Sequence, residues 1–229
     1  MSAWVLMPAA GSGRRFGGDM PKQYLCAADK PLIAHALDAL LAHPGTAGAV
    51  VALAQDDPYW PGWTSLHGKP VMACMGGLER ADSVLAALRA LPAGVAEDTL
   101  LLVHDAARPH LRANDIGKLV DAATACADGA ILAAPVRDTL KRAGVDDRIE
   151  ATEPRERLWR ALTPQAFRRA LLRRALEAAQ AEGVAVTDEA MAVERLGLHP
   201  RLVEGREDNI KVTTPADLAL VEFLLTRHT

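Results

Sequence analysis

Behind a short apolar run, AWVLMP, the chain carries AAGSGRRFGGDMPKQ. Gly11, Gly13, Gly17 and Gly18 let a backbone come close to a ligand. Successive N–H groups in such a loop cradle anions. Arg14, Arg15 and Lys22 add positive charge, so the chemistry this stretch suits is phosphate binding. No Gly-Lys-Ser/Thr follows at the P-loop spacing, and no glycine opens a long helix as in a dinucleotide fingerprint. In HDAARP (104–109) Asp105 ends an apolar stretch, where a carboxylate can hold a divalent cation. Arg108 can meet a second anion, and His104 reads as structural rather than as a base. MGGLERADS sets a glycine pair before a helix with Ser83 in its first turns, a pattern suited to reading a base edge. Lys211 in EDNIKVTT reads as sitting on a short strand. Thr187 and Asp188 in VTDEA sit at a helix start, where capping accounts for Asp188. Each piece alone has an ordinary explanation: a solvated arginine, a capping aspartate, a tight turn, an exposed lysine.

Position makes the pieces more than a collection. AWVLMPA, AGAVVAL, VMACM, TLLLVHD and AILAAPV read as strands, and helical patterns separate several of them. In DKPLIAHALDALLAHPG, Asp29 is expected as the cap, Pro31 in the first turn and Gly45 past the end. Further helices are expected from RADSVLAALRAL and near residues 113–127. TPADLALVEFLLTRH should be capped by Thr214, with Pro215 first and Asp217 closing a capping box. Near-continuous apolar strands alternating with helices imply an α/β fold, a mostly parallel sheet covered on both faces. Ligands bind such sheets outside the carboxyl ends of the strands. The glycine loop, the MGG turn and HDAARP all fall there. VRDTLKRAGVDDRIEATEPRERLWRALTPQ breaks the rhythm and reads as an exposed β-hairpin turning at GVDD.

Composition narrows the class. The chain has 229 residues, 50% hydrophobic, with 26 basic and 29 acidic side chains and a net charge of -3. That balance argues against broad nucleic-acid binding. Cys26, Cys74 and Cys126 are spaced for neither a disulfide scaffold nor a zinc site. The seven histidines show no metal-ligand spacing. No apolar run approaches the roughly 20 residues of a membrane span, and the apolar N-terminus is too short for a signal peptide. The expected location is the cytoplasm, with no membrane partner.

PAAGSGRR, PKQY, GGLERADSV, VHDAARP, APVRDT, LTPQAF, VTDEA and EGREDNIKVTTPADL occur in this order along nearly the whole chain. In this the chain resembles the 2-C-methyl-D-erythritol 4-phosphate cytidylyltransferases of the non-mevalonate isoprenoid pathway. The resemblance implies a Rossmann-like nucleotidyltransferase fold, one domain over 1–229 with a projecting dimerisation β-arm at about 137–158. It implies that CTP and methylerythritol phosphate, a sugar-alcohol phosphate, give the CDP-sugar alcohol and pyrophosphate, with Mg²⁺ or another divalent cation. It implies a homodimer whose arms hook around each other. By motif, Ala9, Ala10, Gly11, Gly77, Ser83 and Ala106 would bind the nucleotide, and Arg15 and Lys22 would be the catalytic pair. Asp105 would sit by the metal and substrate, with Arg108 near the substrate. Thr187 and Lys211 would contact methylerythritol phosphate. Thr139 and Arg155 on the arm would reach the neighbouring subunit's site, with Arg157 the alternative arm arginine. Leu78 stands where the family commonly has an acidic residue.

The implied step is attack by a phosphate oxygen on the α-phosphorus of CTP. The nucleophile is already anionic, so no strong base and no Ser-His-Asp set is needed. Charge is the obstacle, and positioning and fixed positive charge are the remedy. The rival readings are a ribitol 5-phosphate cytidylyltransferase on a similar scaffold and a non-catalytic nucleotide-binding module. A dinucleotide oxidoreductase lacks its fingerprint here.

Overall fold

The computed structural model of the chain describes residues 2–11 and 20–227. In chain order its elements are β1 (Ala3–Pro8), β2 (Cys26–Ala27), β3 (Lys30–Pro31), α1 (Leu32–Ala42), β4 (Thr46–Leu53), β5 (Ser65–Leu66), β6 (Lys69–Met75) and α2 (Arg80–Arg89). Then come β7 (Leu100–Val103), α3 (Ala113–Ala125), β8 (Ala130–Pro135), β9 (Leu140–Ala143), β10 (Ile149–Glu153) and β11 (Trp159–Arg168). The chain continues with α4 (Arg169–Ala181), α5 (Glu189–Glu194), β12 (Arg201–Glu204) and α6 (Pro215–Thr226). The main sheet runs β12-β8-β11-β7-β1-β4-β6-β5.

Strand geometry explains the double cover. Successive side chains point to opposite faces, and here both faces are buried. Val5 and Met7 of β1, Val51 of β4 and Leu102 of β7 pack on one side with Ile33, Leu37 and Leu40 of α1 and Ile116 and Leu119 of α3. Leu6, Val50, Leu101 and Val103 pack on the other with Val84, Leu85 and Leu88 of α2 and Leu172 and Leu176 of α4. The continuous apolar strands expected from the sequence are the consequence.

β1 pairs in parallel with β4 on one side and β7 on the other. The strand order therefore reverses at β1, which opens a crevice at the carboxyl ends of β1 and β7. The loops after both strands meet there.

Three local expectations are corrected. Asp29 does not cap α1. Ala28 and Asp29 both have positive φ (46° and 61°) and form the two-residue turn between β2 and β3, a turn that requires this conformation twice in a row. Residues 159–168 do not project with the hairpin. They form β11, antiparallel to both β7 and β8. Its buried Thr163 and Gln165 made it read as exposed, but both are hydrogen-bonded within the core. Lys211 lies on no strand. Its neighbour Val212 donates its N–H to Ala107 O at 2.9 Å, which moors the segment beside the β7 loop.

The hairpin itself is present. β9 and β10 pair antiparallel as a separate two-stranded sheet, with Val145 and Ile149 exposed. It leaves from the end of β8 and returns into the start of β11, where Trp159 pairs with Pro135. The arm therefore springs from the same edge of the sheet as the crevice. α6 starts as expected. The Thr214 side chain accepts from Asp217 N, and Asp217 closes the capping box with Pro215 in the first turn.

Candidate active site

A pocket of about 600 Å³ opens at the crevice. Pro8, Ala9, Ala10 and Gly11 after β1 form one wall, with Lys22 and Gln23 beside them. Gly77 to Arg80 and Ser83, at the turn into α2, form a second. Asp105, Ala106 and Ala107 after β7, with Lys211 and Thr213, complete it. Nine residues picked from the sequence thus share one cavity: Ala9, Ala10, Gly11, Lys22, Gly77, Ser83, Asp105, Ala106 and Lys211. Arg15 and the flanking Arg14, Gly13, Gly17 and Gly18 lie outside the described residues.

The glycine turn is held by close packing. A Cβ on Gly77 would sit 2.2 Å from Asp82 Cβ, so no larger residue fits without moving the helix start. Gly77 N donates to Ser83 Oγ at 3.2 Å, and that hydroxyl reaches Glu79 O, also at 3.2 Å. Ser83 is buried and shapes the turn as well as lining the pocket. Gln23 does comparable work at the other wall. Its Nε2 donates to Ala9 O at 2.7 Å and to Gly11 O at 3.3 Å. One amide thus ties the root of the glycine loop to the turn carrying Lys22.

Asp105 is the electrostatic centre. Its Oδ1 accepts from Arg80 Nε at 3.0 Å, and its Oδ2 lies 2.8 Å from Lys211 Nζ and 3.6 Å from Arg108 Nε. Burial alone would raise its pKa. Arg80, Lys211 and Arg108 outweigh burial and hold the carboxyl far below the usual carboxylate range. Arg80 also grips Glu189, Nη1 to Oε1 at 2.6 Å and Nη2 to Oε2 at 3.0 Å. Arg80, Arg108, Lys211 and Lys22 therefore stand against Asp105, Glu189 and Glu79 around the pocket, which leaves one positive charge in excess. That excess suits an anionic ligand.

Behind the floor stands a polar brace. Thr163 Oγ1 accepts from Asp105 N at 3.1 Å and lies 3.0 Å from His104 Nδ1. His104 Nε2 lies 3.0 Å from Arg108 O. Burial pushes this imidazole down to about 4, although Arg108 O opposes it. His104 is fully buried and stays neutral, which suits a support for the Asp105 loop and not a base. Asn209 Nδ2 donates to Thr163 O at 2.7 Å, and Arg108 Nη1 to Asn209 O at 2.7 Å. Arg108 thus stands behind the pocket wall and does not line it.

Three further choices from the sequence lie away from this cavity. Thr187 is exposed on the turn before α5, its Oγ1 3.6 Å from Met191 Sδ. Thr139 and Arg155 are exposed on the arm, where Arg155 Nη1 donates to Arg137 O. Sequence reasoning missed Gln23, Glu79, Arg80 and Thr213 as pocket residues. For Arg80 a signal existed. A cation on the first turn of a helix opposes the helix dipole, so it needs carboxylate partners from elsewhere in the fold.

Leu78 is 101% exposed at the pocket rim, at the position where the resemblance implies an acidic side chain. Any contact made by an acidic side chain there is absent from this chain.

Comparison with known proteins agrees with the geometry. A family model described as 2-C-methyl-D-erythritol 4-phosphate cytidylyltransferase matches residues 3–227. A protein of that name from Xanthomonas campestris pv. campestris is 65% identical over 227 residues, 99% of this chain and 86% of its own length. One from Stenotrophomonas maltophilia is 63% identical over 225 residues, 98% of this chain and 97% of its own. Among solved structures, the Francisella tularensis enzyme of that name superposes with a TM-score of 0.83 at 30% identity, covering 97% of this chain and 99% of its own. The one from Thermus thermophilus gives 0.80 at 33% identity, covering 99% of this chain and 100% of its own. With the nucleotidyltransferase-type sheet and the basic pocket at its reversal point, the match over nearly all its length means that the chain belongs to the 2-C-methyl-D-erythritol 4-phosphate cytidylyltransferase family.

Proposed function

We propose that the chain joins CTP to 2-C-methyl-D-erythritol 4-phosphate, releasing pyrophosphate, and that the pocket at the ends of β1 and β7 is where it does so. The observation that carries this reading is the convergence of Ala9, Ala10 and Gly11 after β1, Lys22 and the Asp105–Arg80–Lys211 cluster on one cavity. Family membership supplies the substrates.

The roles follow from the walls. The backbone of Ala9, Ala10, Gly11 and Gly77 and the hydroxyl of Ser83 hold the nucleoside end. Arg15 and Lys22 stabilise charge on the triphosphate as it reacts. Lys211 and Asp105 orient the sugar phosphate, with Arg108 and Thr187 supporting that half. The attacking group is a phosphate oxygen, so no residue has to remove a proton from it. Preorganised positive charge does the work, because negative charge grows on the phosphorus oxygens and on the leaving pyrophosphate.

The donor set bears on the metal. No group of three or more His, Cys, Asp or Glu side chains among the described residues could hold an ion. Asp105 offers one carboxylate, already approached by cations. Such a site fits a Mg²⁺ carried mainly by the triphosphate, for Mg²⁺ commonly takes one or two carboxylates plus substrate phosphates. Asp105 would be its protein ligand, with the half-exposed Lys211 giving way. When bound, the ion would neutralise phosphate charge.

In this reading the arms of two copies exchange, so that Arg155 and Thr139 serve the partner's pocket. Their exposure away from their own pocket, and the arm's origin at the pocket edge, support it. The reading places the enzyme in the cytoplasm, and three cysteines carried as thiols are in keeping with that. No described helix is long and apolar enough to cross a membrane.

Pyrophosphate release with CTP, ATP, GTP or UTP, and with methylerythritol phosphate or ribitol 5-phosphate as acceptor, tests the function. The expected result is turnover with CTP and methylerythritol phosphate, stopped by chelator and restored by Mg²⁺. Turnover with ribitol 5-phosphate alone would reassign the acceptor. CTP binding without turnover on any acceptor would leave a binding module.

A further inference from the structure

Glu189 is fully buried, and Arg80 reaches it from another helix. A buried ion pair is weak evidence of stabilisation, since desolvation offsets much of its attraction. Burial raises the Glu189 carboxyl above its ordinary range, and the Arg80 guanidinium opposes that rise. The pair's place in the fold therefore needs a reason.

Forming the two helix starts is not that reason. The start of α2 is held from within, Asp82 Oδ2 accepting from Glu79 N and Ser83 Oγ from Gly77 N, both at 3.2 Å. The start of α5 is held by Asp188 Oδ1, which accepts from Met191 N at 2.9 Å. Gln165 of β11 adds a second hold, donating to Asp188 Oδ2 at 2.8 Å and accepting from Ala190 N at 2.9 Å. Both turns are secured without the ion pair. What the pair does determine is the direction of the Arg80 fork. With both Nη atoms engaged by Glu189, Nε is left aimed at Asp105 Oδ1. That contact turns Oδ2 toward Lys211.

We propose that Arg80, locked by Glu189, is a positioning residue that sets the Asp105 carboxylate and through it Lys211, so that the sugar-phosphate half of the site depends on a glutamate it never touches. The turn that holds the nucleoside end does not share the dependence, because α2 keeps its own cap. The proposal rests on the functional reading above, which assigns Asp105 and Lys211 to the sugar phosphate.

The test is steady-state kinetics with each substrate varied in turn, on the full chain, for Glu189→Gln. The glutamine keeps the shape but loses the charge and one acceptor. KM for methylerythritol phosphate should rise about 10-fold or more, the scale on which support of a ligating group acts. With Mg²⁺ saturating, so that its contact with Asp105 does not limit, KM for CTP should stay within about twofold. Arg80→Lys should behave alike, since lysine keeps the charge but lacks the fork. In an Asp105→Asn background, Glu189→Gln should add less than about twofold, because it acts through Asp105. Three results would each overturn the proposal. They are a lowered melting temperature with unchanged kinetics, an equal rise in both KM values, and a full effect in the Asp105→Asn background. If neither variant folds, the pair is structural and the proposal falls. Wild-type chain without turnover would overturn the functional reading and this proposal with it. Wild-type turnover with unaltered variants would overturn this proposal alone.

Discussion

A Lys22→Ala chain is expected to lose about 100-fold or more in kcat, since one preorganised donor at developing charge contributes roughly 3 kcal/mol. Lys22 opens the short 3₁₀ turn Lys22–Tyr24 and lines the pocket. Gln23 anchors that turn to the carbonyls of Ala9 and Gly11, so the ammonium is held relative to the backbone that receives the nucleotide. A charge fixed this way gains most when the α-phosphorus becomes more negative in the transition state. The loss should fall on kcat and kcat/KM together, with KM for CTP changed much less. The half-buried side chain is no part of the core on either face of the sheet, so the melting temperature should hold. An unchanged kcat would remove Lys22 from the chemistry.

The second large effect is a recovery. Lys22→Ala and Arg155→Ala chains should each be nearly inactive. Mixed and allowed to exchange, they should regain about a quarter of wild-type activity, because in a two-fold symmetric pair half the dimers are mixed and each keeps one intact site. The arithmetic depends on the arm serving the partner. If Arg155 served its own pocket, each mixed dimer would carry one defect per site and nothing would return. Arg155→Lys offers a check on geometry. It keeps the charge but not the planar fork that matches a phosphate, so it should rescue only partly.

How much of this was legible in the sequence depended on whether a residue's role was local. The strands β1, β4, β7 and β8 announced themselves because both faces of the sheet are buried, which leaves uninterrupted apolar runs. The α6 cap was legible because Thr214, Pro215 and Asp217 act on one another within a single turn. β11 was hidden, because its buried Thr163 and Gln165 find their partners in the β7 loop and the α5 turn, distant in sequence. Asp29 misled for a related reason. Aspartate favours a helix cap and a left-handed turn alike, and only the pairing of β2 with β3 decides between them. Arg80 was passed over as part of a helix pattern, yet it joins Asp105 and Glu189. Gly11, Gly77 and Asp105 lie just past strand ends, where topology concentrates ligands, while Ala9, Ala10 and Ala106 come from the family resemblance. The pocket residues that were missed, Gln23 and Arg80 above all, act through hydrogen bonds the chain makes only once folded. Lys211 was found by motif and placed on the wrong element, which its mooring to Ala107 corrects without moving it from the pocket.

The central claim is that a phosphate oxygen of the sugar phosphate forms the new bond to the α-phosphorus of CTP in this pocket, with pyrophosphate leaving from that phosphorus. Methylerythritol phosphate carrying a heavy-oxygen label on its phosphate, turned over with CTP, tests it by phosphorus NMR and mass spectrometry of both products. The predicted result is label in the oxygen bridging the two phosphorus atoms of the CDP-sugar alcohol, with none in the pyrophosphate. Label in the pyrophosphate, or an unlabelled bridge, would contradict it.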